Sequence, residues 1–144
     1  MSKRFTFRLD SLHRLRQHKT EQAKLALGEI ARMRFEKEQE IERQKLYLQE
    51  YNEQTRSRKV ADHQIRTEHI QAVRADIKRL LSELENLLEI EALRRKVLSE
   101  MMKEEKVLDS LREKKVAEHK SILLHEEQNL MDEIASRRDH ADRD

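Results

Sequence analysis

The sequence contains very little of what makes turns, disulfides or aromatic stacking surfaces. Its 144 residues include one Gly, no Pro, no Cys and no Trp, and aromatic residues make up 3%. β-Sandwiches and α/β folds need Gly and Pro in their many turns, so this composition argues strongly against both classes. Without Cys the chain forms no disulfide, no thiolate zinc site and no thiol nucleophile.

Long apolar runs are also missing. No stretch approaches the 18 or so apolar residues of a membrane-spanning helix, so we expect no membrane insertion. The N-terminus alternates charged and apolar residues and has no continuous apolar segment of the kind found in secretory signals. We therefore expect a cytoplasmic protein.

What the chain does contain is typical of long helices. Charged residues make up 42% of it, the net charge is +2, and Ala, Glu, Lys, Leu and Arg together exceed half. Leu, Ile, Val and Phe are frequent enough to argue against disorder. We predict an all-α fold in which two long, unequal helices form an antiparallel coiled-coil hairpin, with residues 1–144 as a single domain.

Heptad spacing places the first helix at about residues 6–55. Two seven-residue ladders run along it and alternate in steps of three and four. They contain Ala23, Ile30, Lys37, Gln44 and Tyr51 in one ladder and Leu27, Arg34, Ile41 and Leu48 in the other. Gly28 inside this helix is interpreted either as a tolerated residue or as a point of close helix–helix approach.

The apolar stripe fades before residues 56–61, which we interpret as the turn, and returns in a second helix at about 62–137. A tail at 138–144 is expected to fray. The second stripe has a polar interruption at Glu91 and Arg94. A turn centred near Arg58 would bring residue i opposite roughly residue 116 − i, leaving the second helix without an intramolecular partner beyond Leu111.

Residues suited to catalysis or metal binding are not grouped in this sequence. No two of the seven His lie three or four residues apart, and no Gly-rich phosphate loop is present. A two-helix coiled coil has no cavity in which a carboxylate could be desolvated. We expect no enzyme activity, no cofactor and no metal. Acidic residues interleaved with the basic ones also argue against nucleic-acid binding.

Both ends of the chain resemble one family. Residues 5–16 have the form F-x-F-x-L-x-x-L-x-x-L-R, and residues 126–135 form a Glu-rich run with an Asp-Glu pair. These features, together with the length and the unequal helices, resemble the flagellar export protein family FliJ. Members are antiparallel coiled coils of the flagellar type III export apparatus, similar in shape to the gamma subunit of rotary ATP synthases.

The resemblance implies three partners: the hexameric export ATPase, the cytoplasmic domain of the export gate, and export chaperones. It implies a location at the cytoplasmic face of the inner membrane. ATPase contacts are expected at Phe5, Phe7, Leu9, Leu12, Leu15, Leu123, Leu130, Met131 and Ile134. Gate contacts are expected at Tyr47, Tyr51, Ile70, Val73 and Ile77, although Tyr51 equally fits a core position of the heptad.

Two alternatives to a flagellar stalk remain open from the sequence. One is the related stalk protein of injectisome secretion systems. The other is a generic coiled-coil scaffold or adaptor with other partners, which could be a parallel dimer of one long helix. The F-x-F-x-L opening favours the flagellar protein.

Overall fold

Two long α-helices account for nearly all of the structure. The computed structural model describes residues 4–56 and 59–143. Helix α1 spans Asp10–Gln54, a short 3₁₀ helix spans Val60–Asp62, and helix α2 spans His63–Arg143. The two helices pack against each other, and the described residues contain no strand. The predicted all-α helical hairpin is therefore confirmed.

The helix boundaries differ from the expected ones at both ends of the chain. Helix α1 begins at Asp10 rather than near residue 6, and the Leu9 carbonyl accepts its first backbone hydrogen bond from His13 at 2.8 Å. The Asp10 carboxylate pairs with Arg14 at 2.8 Å and lies in the first turn, where the helix dipole favours negative charge. Helix α2 continues to Arg143, beyond the expected end near residue 137, whereas the expected fraying of residues 138–144 stays a prediction.

The chain divides into two compact units. One, here called the hairpin unit, contains residues 21–100. The other, here called the terminal unit, combines residues 4–20 with residues 101–143. Both helices contribute to each unit, because α1 and α2 each run through both of these ranges.

The hairpin unit has the narrow apolar seam that its heptads predict. Every residue of the two ladders predicted in α1 is buried or half-buried. Ile30 and Ile41 on α1 and Val73, Ile77 and Leu80 on α2 are its most buried apolar side chains. Steps of three and four keep these positions on one side of each helix, so both seams face each other throughout the unit.

Charged side chains occupy part of this otherwise apolar seam. Glu91 occupies a buried core position, with its side chain 5% exposed. Its carboxylate accepts from Arg34 Nε on α1 at 2.5 Å and from Arg95 on α2 at 2.9 Å. The carboxylates of Glu38 and Glu91 raise the pKa of Arg34. Removing one partner of such a pair would leave an uncompensated buried charge, which is strongly destabilising.

The turn is closed by side chains from both helices. Thr55 is 1% exposed, and its hydroxyl donates to the Tyr51 carbonyl at 2.7 Å. Arg66 of α2 donates to the Thr55 hydroxyl at 2.7 Å and also contacts the carbonyl and side chain of Asn52. Because α1 carries no basic residue in its last turn, Arg66 supplies the cation that favours a helix C-terminus.

The terminal unit corrects the predicted register. Thr20 donates to the Met101 carbonyl at 3.4 Å, and His13 pairs with Asp109. The expected facing residue for Thr20 was number 96, so α2 is displaced by about five positions. The expectation that α2 lacks a partner beyond Leu111 is wrong for the part near His119, because Phe5 of the segment preceding α1 packs there against Arg112 and His119. From Leu124 to Arg143 the side chains are exposed, as expected.

Gly28 is exposed, and a Cβ added to it would meet no atom within 4 Å. The helices do not approach each other closely at this point. Of the two interpretations considered for Gly28, the structure confirms the tolerated residue.

Candidate binding surfaces

The non-helical segment before α1 forms an open groove with α2 inside the terminal unit. Along residues 4–9, half-buried and exposed side chains alternate, so that Phe5, Phe7 and Leu9 turn toward the protein. The groove has a volume of about 860 Å³ and is also lined by Leu111 and Leu123. An alternating apolar segment of this kind packs its inner residues while leaving the outer ones hydrated.

Aromatic and cationic side chains hold the segment in place. The Phe5 ring lies 5.6 Å from the His119 ring, and the Arg112 guanidinium carbon lies 5.7 Å from the Phe5 centroid. Phe7 meets the buried His13 ring edge-on at 6.4 Å. Cation–π and edge-to-face contacts of this geometry are favourable, so they stabilise the packing that forms the groove.

The remaining residues predicted to contact the ATPase lie on exposed parts of the terminal unit. Leu12 and Leu15 are exposed on the first turns of α1. On α2, Leu130, Met131 and Ile134 are 57%, 71% and 49% exposed. From Leu124 to Arg143 every side chain is exposed. An apolar face with this much exposure is typical of a partner-binding surface.

The helix geometry places these apolar residues together. At 100° per residue, Leu123, Leu130, Met131 and Ile134 fall within a sector of about 100° of α2. Asn129 and Ser136 lie on the opposite face of the same turns. The structure therefore brings together the four residues that the sequence analysis selected on α2, as one stripe that ends in the groove at Leu123.

A second surface lies beside the turn of the hairpin unit. Tyr47 and Tyr51 stack with centroids 6.2 Å apart, and both rings contact His69 of α2. The Tyr47 hydroxyl and His69 Nε2 are hydrogen-bonded at 3.0 Å. Tyr47 is exposed, whereas Tyr51 is a half-buried core residue of the seam. We call Tyr47, Tyr51 and His69 the turn surface.

The aliphatic residues predicted for gate binding lie outside this surface. Ile70 is half-buried, but Val73 and Ile77 are buried between the two helices. Their side chains stabilise the hairpin and present almost no area to a partner. Only Ile70 of the three has part of its side chain exposed, in a groove that it lines with Leu48 and Asn52.

Three contributors to these surfaces were missed in the sequence. His69, Arg112 and His119 each contact an aromatic residue that the sequence predicts to bind a partner. The predicted pairing of residue i with 116 − i could have identified His69, because it places His69 opposite Tyr47. It could not have identified Arg112 and His119, because Phe5 precedes α1 and follows no helical register. Isolated His residues on a polar helix carry no signal of their own.

The described residues hold no group of three His, Cys, Asp or Glu side chains suited to a metal ion. In the same part of the chain, no buried side-chain nitrogen or oxygen lacks a hydrogen-bond partner. Among the helices described, none is long and apolar enough to cross a membrane.

The described residues form a coiled-coil-like helical hairpin, without strands. A family model described as Flagellar FliJ protein matches residues 5–143, which is nearly the whole chain. The chain therefore belongs to the FliJ family and is a non-enzymatic component of the flagellar protein export apparatus. The comparisons with curated proteins and with solved structures gave no significant match.

Proposed function

We propose that this protein acts as the stalk of the flagellar export ATPase and stimulates its activity by binding inside its ring. The proposal is supported by the exposed apolar stripe on α2, which contains Leu130, Met131 and Ile134. A stripe buried in the ring would bridge ATPase subunits, and a ligand that binds only the assembled form favours assembly by mass action. The N-terminal groove and the exposed Leu12 and Leu15 extend the same binding region.

The experiment is a titration of ATP hydrolysis by the flagellar export ATPase with two charge-matched variants. Leu130→Glu with Ile134→Glu places two carboxylates on the apolar stripe. Asn129→Glu with Ser136→Glu adds the same charge to the opposite face. We expect the first variant to lose stimulation and the second to keep it, while circular dichroism shows equal helix content for both. Equal stimulation by both variants would contradict the assignment of the stripe.

We further propose that the turn surface contacts the cytoplasmic domain of the export gate and so couples the ring to it. Exposed aromatic residues combine large apolar area with few rotatable bonds, which favours their use in binding. Tyr47 provides this feature and is held in position by His69. The proposal leaves out Val73 and Ile77, because both are buried within the hairpin.

A binding assay with the gate domain tests the turn surface. Tyr47→Ala is expected to weaken binding, whereas Phe35→Ala, which removes an exposed aromatic residue elsewhere on α1, is expected to have no effect. Equal affinity of the two variants would remove Tyr47 from the contact. Escort of export chaperones and a peripheral position at the inner membrane complete the proposal, and both rest on family membership alone.

A further inference from the structure

The last turns of α2 contain a heptad seam that no part of the described chain covers. Residues in steps of three and four begin one position after Leu123 and continue almost to the end of the helix. They are Leu124, Glu127, Met131, Ile134, Arg138 and Ala141. All six side chains are exposed. Heptad spacing sustained over this length is the pattern by which one helix binds another.

The residues of this seam are complementary to the same residues of a second copy that runs in the opposite direction. With two copies antiparallel and centred between residues 132 and 133, Met131 lies opposite Ile134 of the second copy. In the next layer Glu127 lies opposite Arg138, and in the outermost layer Leu124 lies opposite Ala141. Each layer therefore pairs an apolar residue with an apolar one or an acid with a base.

We propose that two copies of this chain associate through residues 124–141 of α2, as an antiparallel two-helix coiled coil with twofold symmetry. A twofold interface uses the same patch on both subunits, so every contact occurs twice. The flanking positions agree with this arrangement, because Leu130 and Arg137 lie beside each other across the axis, where the aliphatic part of the Arg side chain covers apolar surface.

The charged residues of this seam favour a second copy of the chain as the partner, and they favour antiparallel over parallel pairing. A parallel, in-register pair would place Glu127 against Glu127 and Arg138 against Arg138, which is repulsive in both layers. Within one chain the two residues are eleven positions apart, or about 16 Å along the helix. Neither can therefore satisfy the other without a second copy.

The pairing is expected to be weak and reversible. Only the two Met131–Ile134 layers and the two Leu124–Ala141 layers bury apolar side chains, and short isolated helical pairs are marginal in water. The seam also shares Met131 and Ile134 with the stripe proposed to bind the ATPase. Free protein would then cover this stripe by self-association, and entry into the ring would require the pair to separate.

Analytical ultracentrifugation of the protein alone over a wide concentration range tests the pairing. The weight-average mass is expected to rise from the chain mass of 17.4 kDa toward twice that value. Glu127→Arg and Arg138→Glu each convert both charged layers of the pair from attraction to repulsion. We expect each substitution to raise the dissociation constant at least about tenfold.

Two rescue experiments identify the partner and its direction. The double variant Glu127→Arg with Arg138→Glu restores opposite charges across an antiparallel pair, so its dissociation constant should return close to that of the unmodified protein. Mixing the two single variants should also restore dimers, because one carries only Glu and the other only Arg at these positions. Circular dichroism checks that the helix is unchanged.

A constant monomeric mass at every concentration would overturn the proposal. So would dimers that single variants do not weaken, or that the double variant and the mixture do not restore. The ATPase is absent from these measurements, so their failure leaves the proposed stalk function untouched, and failure of ATPase stimulation leaves the pairing untouched.

Discussion

The hydroxyl of Thr55 is expected to contribute measurably to stability, because it joins the end of α1 to the start of α2. It donates to the Tyr51 carbonyl and accepts from Arg66 Nε, both at 2.7 Å, in a side chain that is 1% exposed. Thr55→Val keeps the shape of the side chain and removes both hydrogen bonds. Because Arg66 loses a buried acceptor, we expect the free energy of unfolding to fall by about 1–3 kcal/mol.

Urea denaturation followed by circular dichroism at the helical band measures this change. With slopes of about 1–3 kcal/mol per molar urea, the midpoint should fall by roughly 1 M. Thr55→Ser is the matched control, because it keeps the hydroxyl and loses one methyl group, which costs about 0.8 kcal/mol. The expected order of stability is unmodified protein, Ser variant, Val variant. A Val variant as stable as the Ser variant would refute the role of the hydroxyl.

Three further predictions concern the hairpin unit. Gly28→Ala should raise the free energy of unfolding by about 1 kcal/mol, because the new Cβ meets open space; a lower urea midpoint would contradict this. Leu80→Ala should lower the free energy of unfolding by about 2–5 kcal/mol, because its side chain is buried in the seam. A decrease no larger than that for an exposed Leu would show that Leu80 lies outside the core. Lys37 lies 2.8 Å from Glu83 and lowers the pKa of that carboxyl below its ordinary value of 4.5. The folded chain therefore binds fewer protons there than the unfolded chain, so this stabilisation is present above about pH 4.5 and is lost as the pH falls through the folded pKa. Glu83→Gln should reduce the loss of unfolding free energy that is measured as the pH falls below about 4.5. An unchanged pH dependence would show that Glu83 is not its source.

The heptad pattern was sufficient to predict the fold. Lys37 and Gln44 were placed in the seam despite their polarity, and both are half-buried there. Glu91 was interpreted as an interruption of the second stripe, yet it is a buried core residue. Its ionic partner Arg34 lies on the other helix, so the periodicity of α2 alone could not reveal why an acid is tolerated at that position.

The register of the two helices could not be read from periodicity. Steps of three and four are preserved when one helix slides along the other, so the apolar seams alone permit several alignments. The polar contacts distinguish between them, as Thr20 with Met101 and Arg34 with Glu91 do here. A separate 3₁₀ helix, Val60–Asp62, also precedes α2, and the heptad pattern gave no sign of it.

The segment before α1 carried a signal that the helical interpretation overlooked. Phe5, Phe7 and Leu9 alternate at every second position, which is typical of an extended segment with one buried face. In the structure this segment is non-helical and packs against α2 at Arg112 and His119. The candidate surface at the chain ends was therefore predictable in its residues, whereas the groove that they form depended on the register.

ATP hydrolysis by the flagellar export ATPase, measured at a limiting ATPase concentration while this protein is added, tests the stalk function most directly. Because one stalk is proposed to bridge several subunits of a ring, the rate should rise and saturate at fewer than one stalk per ATPase chain. An unchanged rate, with an active ATPase and a helical sample, would contradict the proposed stimulation. The protein would then be an export component that acts through other partners.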